Sequence, residues 1–188
     1  MIDYKTFKKG YLNEWVDQSQ AARKAAEELA NKDTTSLRDK YKDELPVFSD
    51  GGYTIEFKKR NEVRSNGSWY FTWEEAMMLF GKPDKDGWRL PGLKDFKFLV
   101  EPEGDFSFSN GTGFFKNGLT LPADGTMSTP GVAKAVGIVG SYWTNYDPPK
   151  MSQQTHLSWM LSFTDATCYL GMTSKTNYLS VRLVREVK

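Results

Sequence analysis

The 188-residue chain has one cysteine, Cys168, and one histidine, His156. A single cysteine excludes an intrachain disulfide, so the fold must be held by packing and hydrogen bonds. One histidine and one cysteine also fall short of the ligand count of an ordinary His/Cys zinc site. Net charge is scarce as well: 25 Lys/Arg against 24 Asp/Glu leave +1 at pH 7. That gives no long-range attraction to nucleic acid or to an anionic membrane. The one short basic run, Lys58-Lys59-Arg60, reads as a solvated strand end. No stretch approaches the roughly 18 apolar residues of a membrane span. After Met1, "IDYKTFKKGYLNEW" has no apolar run of signal-peptide length. The expectation is a chain that binds no nucleic acid, spans no membrane and is not exported by the usual route.

Large rings are what the chain has in quantity. Aromatic residues reach 14%, with six Trp and twelve Phe, while charged residues hold at an ordinary 26%. Such rings bury much area each, which favours a packed core over disorder and leaves some rings for a binding face.

Composition divides the chain near Pro46. Residues 1–46 hold nine Lys/Arg and nine Asp/Glu, whereas residues 105–181 carry only four lysines and four aspartates. In the first part Leu12, Trp15, Ser19, Ala22, Ala26 and Leu29 fall at heptad a and d spacing, opposite Asp17, Arg23, Lys24 and Glu27. That pattern predicts an amphipathic helix, either docked on its own domain or anchoring and self-associating. A second short helix is expected from Asp33 or Thr34 to before Pro46.

The second part opens with "SDGG", a turn, and with Tyr53, Ile55 and Phe57 alternating along a half-buried strand. "RSNGSW" suits a tight hairpin turn. In "TWEEAMMLFG", Thr72 caps a helix, Glu74 and Glu75 fill its first turn, and Gly81 stops it. Trp73, Ala76, Met77 and Phe80 then share a face. Pro91 suits the first turn of a further helix, with Leu93, Phe96, Leu99 and Val100 inward. Alternation predicts strands at "LSWMLSF" (157–163) and "YLSVRLVREV" (178–187). Strand, two helices and more strands, without βαβ repetition, indicate an α+β fold.

Catalytic and metal motifs are weak. Cys168 and His156 are twelve apart on successive strands, with no assignable oxyanion hole or orienting third residue. "DKDG" at 84–87 reads as a turn, because the glycine falls two positions early for a calcium loop and Asp95 stands where Glu belongs. "GTGFFKNG" at 111–118 lacks the Lys-Ser/Thr ending of a phosphate loop. "NGS" at 66 and "NGT" at 110 match the glycosylation triplet and equally suit turns. Glu74/Glu75 and Glu101/Glu103 need burial to serve as acid-base pairs. No catalytic residue, metal or cofactor is assigned.

Several fragments in order, "TWEEAMMLF", "GWRLP" with "LKDFKFL", "GLTLPADG", "VGIVGSYWT", "LSF" and "LSVRLVR", resemble the major paralogous domain proteins first noted in Fibrobacter succinogenes. These belong to the C-type-lectin-like superfamily. The resemblance covers about residues 50–188 and leaves residues 1–46 outside. It implies a domain at 47–188 with two helices on a small twisted antiparallel sheet and a long loop region. It also implies that the first and last strands pair, "YTIEF" with "LSVRLV". Trp88, Arg89, Pro91, Trp143 and Arg182 become structural markers. Trp88 and Leu90 would plug the core, Pro91 would start the second helix, and Arg89 would be held by an acidic or carbonyl partner. "EPE" at 101 and "WTN" at 143 only partly match the calcium-sugar motifs of vertebrate C-type lectins.

The same resemblance implies a non-enzymatic display or binding protein, a phage virion fibre or decoration protein carrying a lectin-like head to the host surface. Leu12, Trp15, Ala22, Ala26 and Leu29 would contact virion proteins or build a homo-oligomer, a trimer by analogy with phage fibres. Partners of the head would be a host cell-surface glycan or protein, met through the loops. The candidate ligand residues are Tyr146, Asp147, Tyr169 and Tyr178. Alternatives are a bacterial cell-surface adhesin whose leader has been removed, and an oxidoreductase related to the formylglycine-generating enzymes. The latter normally use a cysteine pair.

Overall fold

Two glycines in the left-handed region, Gly51 (φ 55°) and Gly52 (φ 84°), fold the chain back on itself between Asp50 and Tyr53. Two consecutive positive φ values are what a two-residue hairpin turn requires, and glycine supplies them without steric cost. The result is a hairpin of β1 (Val47–Asp50) and β2 (Tyr53–Phe57). The structure is a computed structural model and describes residues 45–100, 106–149 and 154–187. The expected N-terminal helices, including Leu12, Trp15, Ala22, Ala26 and Leu29, and the pair Glu101/Glu103 lie outside the described residues.

Helix α1 (Trp73–Phe80) forms as its sequence predicts. The Thr72 hydroxyl accepts from the Glu75 amide, and the Glu75 carboxylate accepts from the Thr72 amide at 2.8 Å. This reciprocal capping box is worth about 1 kcal/mol. Helix α2 spans Leu93–Val100 and buries Asp95, Phe96 and Leu99. It starts two residues after Pro91, because the Asp95 carboxylate reaches back to the Gly92 amide at 2.6 Å and sets the first turn there.

The strands that follow are β3 (Ser107–Ser109), β4 (Thr112–Phe114), β5 (Thr120–Pro122), β6 (Thr126–Thr129), β7 (Val132–Lys134), β8 (Gly140–Trp143), β9 (Leu157–Phe163), β10 (Cys168–Ser174) and β11 (Val184–Glu186). They form four small antiparallel sheets, ordered β1-β2-β11, β10-β9-β8, β3-β4-β5 and β6-β7. The protein is therefore α+β and rich in sheet.

The first and last strands do pair, with Phe57 opposite Val184 and Ile55 opposite Glu186. The register differs from the expected one: Val181 lies beyond the ladder, where its carbonyl accepts from the Glu62 amide at 2.9 Å. Nor is 178–187 a strand with one solvated face. Leu179, Ser180, Val181, Arg182, Leu183 and Val184 are all buried. The segment is an extended spine that bridges in turn to Met127, Phe71, Tyr142 and Arg89. Strand β9 departs similarly from clean alternation, since Ser158 and Ser162 are buried beside Leu161 and Phe163. The Ser158 hydroxyl is satisfied by the Tyr146 carbonyl at 2.7 Å.

Two apolar clusters result. One gathers Ile55, Phe57, Phe96, Leu121, Tyr142 and Phe163; the other gathers Phe71, Trp73, Leu90, Trp143, Val181 and Leu183. Leu90 plugs the second cluster as expected. Trp88 packs against the edge of that cluster without entering it: its ring is half-buried, with the Arg185 guanidinium 4.6 Å and the Lys58 ammonium 5.5 Å from its centroid. Two cations stacked on an indole suit a ring at the water boundary better than one in the interior.

Candidate functional site

A groove of about 570 Å³ opens between the segment after β2 and the β6–β7 hairpin. One wall comes from the turn after β2. The Arg64 amide donates to the Ser68 carbonyl, the Gly67 amide to the Arg64 carbonyl, and the Ser68 amide to the Asn66 side chain. That turn presents Trp69 and Tyr70 to the groove. The tight Asn66-Gly67 turn predicted from sequence is present, although its flanks are not strands of a sheet. The Arg64 side chain is tied to Glu75 and sits 5.1 Å over the Phe71 ring.

The opposite wall is the β6–β7 hairpin. Its place is set by a two-way backbone bridge: Met127 donates to Tyr178 at 3.0 Å and Tyr178 donates to Met127 at 2.7 Å. Tyr178, Met127, Ala133 and Val136 line this side.

A buried polar network stands behind the floor. The Asp124 carboxylate accepts from the Asn61 amide group at 2.8 Å and from the Ser180 hydroxyl at 3.0 Å. Its backbone carbonyl accepts from the Tyr70 hydroxyl. Asn61 also donates to the Tyr142 hydroxyl at 3.0 Å, which in turn donates to the Pro122 carbonyl at 2.7 Å. Arg182 donates to the Asn61 side-chain oxygen and to the Lys58 carbonyl, both at 2.8 Å. Burial pulls the Arg182 pKa down, against the opposing pull of Tyr142 and Asp124. Burial pushes the Tyr142 hydroxyl far above its ordinary value, and the Asp124 charge adds to this. Every buried side-chain polar atom among the described residues has a hydrogen-bond partner. The groove therefore rests on a rigid, satisfied support rather than on loops alone.

Of the four candidate ligand residues, only Tyr178 lies at this groove. Tyr146 is half-buried, edge-on to Trp159 with centroids 6.4 Å apart. Its neighbour Asp147 accepts from Lys175 at 2.7 Å, and that ammonium stands 4.0 Å from the Trp73 ring. Tyr169, 49% exposed, sits on β10 opposite Ser162, at the far end of the β9–β10 hairpin. The four do not form one surface. Among the markers, Trp143 is fully buried and its indole N–H donates to the Phe71 carbonyl at 2.7 Å. Arg89 has the expected acidic partner, Asp95.

The Cys168/His156 pair does not assemble. Cys168 faces Phe163 at one end of the hairpin, whereas the exposed His156 precedes β9 at the other end, where Leu157 faces Ser174. Burial pushes the Cys168 thiol up to about 12, so little thiolate exists near neutral pH. The "DKDG" segment is a turn in which the Asp84 carboxylate accepts from the Asp86 and Trp88 amides. Among the described residues no group of three His, Cys, Asp or Glu side chains is placed to hold a metal ion. None of their helices is long and apolar enough to cross a membrane.

Sequence reasoning missed Arg64, Trp69, Tyr70 and Asp124. "RSNGSWY" carries a cue, two rings directly after an Asn-Gly turn, while nothing in "GLTLPADG" sets Asp124 apart from an ordinary turn residue. Comparison of the chain with protein-family models, with curated proteins and with solved structures finds no match.

Proposed function

We propose that residues 47–188 form a C-type-lectin-like recognition head, and that the chain is a non-enzymatic virion fibre or decoration protein. The head meets a protein or glycan of the host surface. Residues 1–46 attach it to the particle and assemble it as a homo-oligomer, with a trimer expected. The observation that carries this reading is the aromatic groove held between the Asn66-Gly67 turn and the β6–β7 hairpin. A concave site walled by Trp69, Tyr70 and Tyr178 over a fixed polar floor is suited to binding. Two helices and a sheet joining β2 to β11 agree with the architecture that the resemblance implies. The test is twofold. Mass spectrometry of washed phage particles encoding the chain should detect it, and excess free chain should block their attachment to host cells. Detection on a bacterial envelope instead of the particle would move the protein to the adhesin class, and unimpeded attachment would refute the recognition role.

A further inference from the structure

We propose that β10 is the seam of a two-fold contact between heads, in which its outer edge pairs antiparallel with β10 of a second copy and Gly171 faces its counterpart on the axis. The contact is separate from the recognition groove and does not rest on the recognition reading. It joins heads in pairs, whatever number of chains residues 1–46 hold together.

The hydrogen-bond pattern fixes which groups the edge offers. Thr164 donates to the Thr167 carbonyl at 2.8 Å before the β9–β10 ladder begins, and Lys175 donates to the His156 carbonyl at 3.0 Å after it ends. Bonded and non-bonded pairs alternate between these points, so Tyr169, Gly171 and Thr173 spend their backbone groups on β9. Cys168, Leu170 and Met172 turn theirs outward, and among the described residues nothing pairs with them. Such an edge is ordinarily kept short, charged, bulged or broken by proline. Strand β7 has three residues and ends on Lys134, and β1 has four and ends on Asp50. The outer flank of β8 is covered where Trp143 donates to the Ser180 carbonyl at 3.1 Å. Strand β10 differs: its seven residues, "CYLGMTS", carry no charge and no proline, and the register is unbroken from Cys168 to Ser174.

The occupant follows from the self-complementarity of the strand. With Gly171 on the axis, the whole of β10 pairs, and Leu170 lies opposite Met172 of the second copy, twice by symmetry. Both residues turn their backbone groups outward, so each such pair exchanges two hydrogen bonds. Within one head Leu170 stands opposite Leu161 and Met172 opposite Trp159, so the new pairs lengthen an apolar row already present. On the other face Tyr169 lies opposite Thr173 of the second copy, an aromatic and β-branched pair. The Tyr169 ring leans over Gly171, 2.8 Å from where a Cβ there would stand, so the glycine pair leaves room for a ring from each copy. Neither strand brings a charge to the seam, and no like charges oppose the pairing. Strands β8, β9 and β10 of each head then run on into one continuous sheet.

The experiment is sedimentation of the full chain over a concentration series, with amide hydrogen exchange followed in parallel and melting used to show that each variant is folded. Tyr169→Lys with Thr173→Lys sets lysine opposite lysine across the seam, and Tyr169→Glu with Thr173→Glu sets glutamate opposite glutamate. Wild type should reach at least about twice the mass of either variant alone. An equimolar mixture of the two variants sets lysine against glutamate and should restore the wild-type mass. Met172→Pro removes an outward amide without touching the β9 ladder, and should also leave heads unpaired. The Leu170 and Met172 amides should exchange slowly only where the mass is doubled. Equal masses for wild type and both charge variants, a mixture that stays unpaired, or a folded Met172→Pro chain that pairs as wild type would each overturn the seam. Slow exchange of both amides in a chain of unpaired mass would assign the edge to a segment of the same chain, and overturns it equally.

Discussion

Arg89 donates to the Asp95 carboxylate at 2.6 Å, and Asp95 is 1% exposed at the start of α2. The Tyr53 hydroxyl donates to the same carboxylate at 2.6 Å and accepts from Arg89 at 2.9 Å. One ion pair therefore ties together the bend before α2, the helix itself and strand β2. Burial works against the Arg89 charge, yet Asp95 holds its pKa above the ordinary value. Removing only one partner strands a charge in the interior, which costs about 3 kcal/mol or more. Asp95→Ala should lower stability by about that amount in urea unfolding. Arg89→Leu combined with Asp95→Leu should cost less than Asp95→Leu alone, and additive losses would show that the pair is not coupled.

Gly140 begins β8 opposite Phe163, whose ring lies where a Cβ on residue 140 would be built. Phe163 cannot withdraw, since Phe106, Phe115 and Tyr142 pack around it at centroid distances of 5.8, 5.6 and 6.1 Å. Gly140→Ala should destabilise by about 1–3 kcal/mol or prevent folding, the usual cost of overpacking. A melting temperature equal to the wild type would mean that this part of the core is looser than described.

Stability should decline at alkaline pH. Burial raises the Cys168 thiol from 9.0 to about 12. Burial, aided by Asp95, raises the Tyr53 hydroxyl from 10.0 to about 12. Both groups keep their protons longer in the folded state, so unfolding releases protons and is favoured as pH rises. Their stabilisation is complete below about pH 9 and is lost progressively between pH 9 and 12. Urea midpoints of the wild type should fall from pH 9 upward, while those of Cys168→Ser should begin to fall only near pH 10. Parallel profiles for the two proteins would remove Cys168 from this account.

Local signals were legible where one segment supplies its own partners. Thr72 and Glu75 cap each other, so α1 could be read off "TWEEAMMLFG" to the residue. The start of α2 was less legible, because Asp95 reaching back to Gly92 competes with the preference of Pro91 for a first turn. The spine at 178–187 misled for a different reason. Alternation marks Ser180 and Arg182 as solvated, and only the fold supplies Asp124 for the serine and Asn61 with the Lys58 carbonyl for the arginine. The groove was hidden in the same way, since the Phe71–Leu179 bridge brings the Trp69 segment beside Tyr178 and the Met127–Tyr178 bridge adds the β6–β7 hairpin, both far along the chain.

Replacing both Trp69 and Tyr178 by alanine tests the recognition head most directly, in a cell-attachment assay with the melting temperature measured alongside. The account predicts a folded chain whose attachment falls by at least about tenfold, as expected when hot-spot aromatics are truncated. A folded variant that attaches as well as the wild type would contradict it.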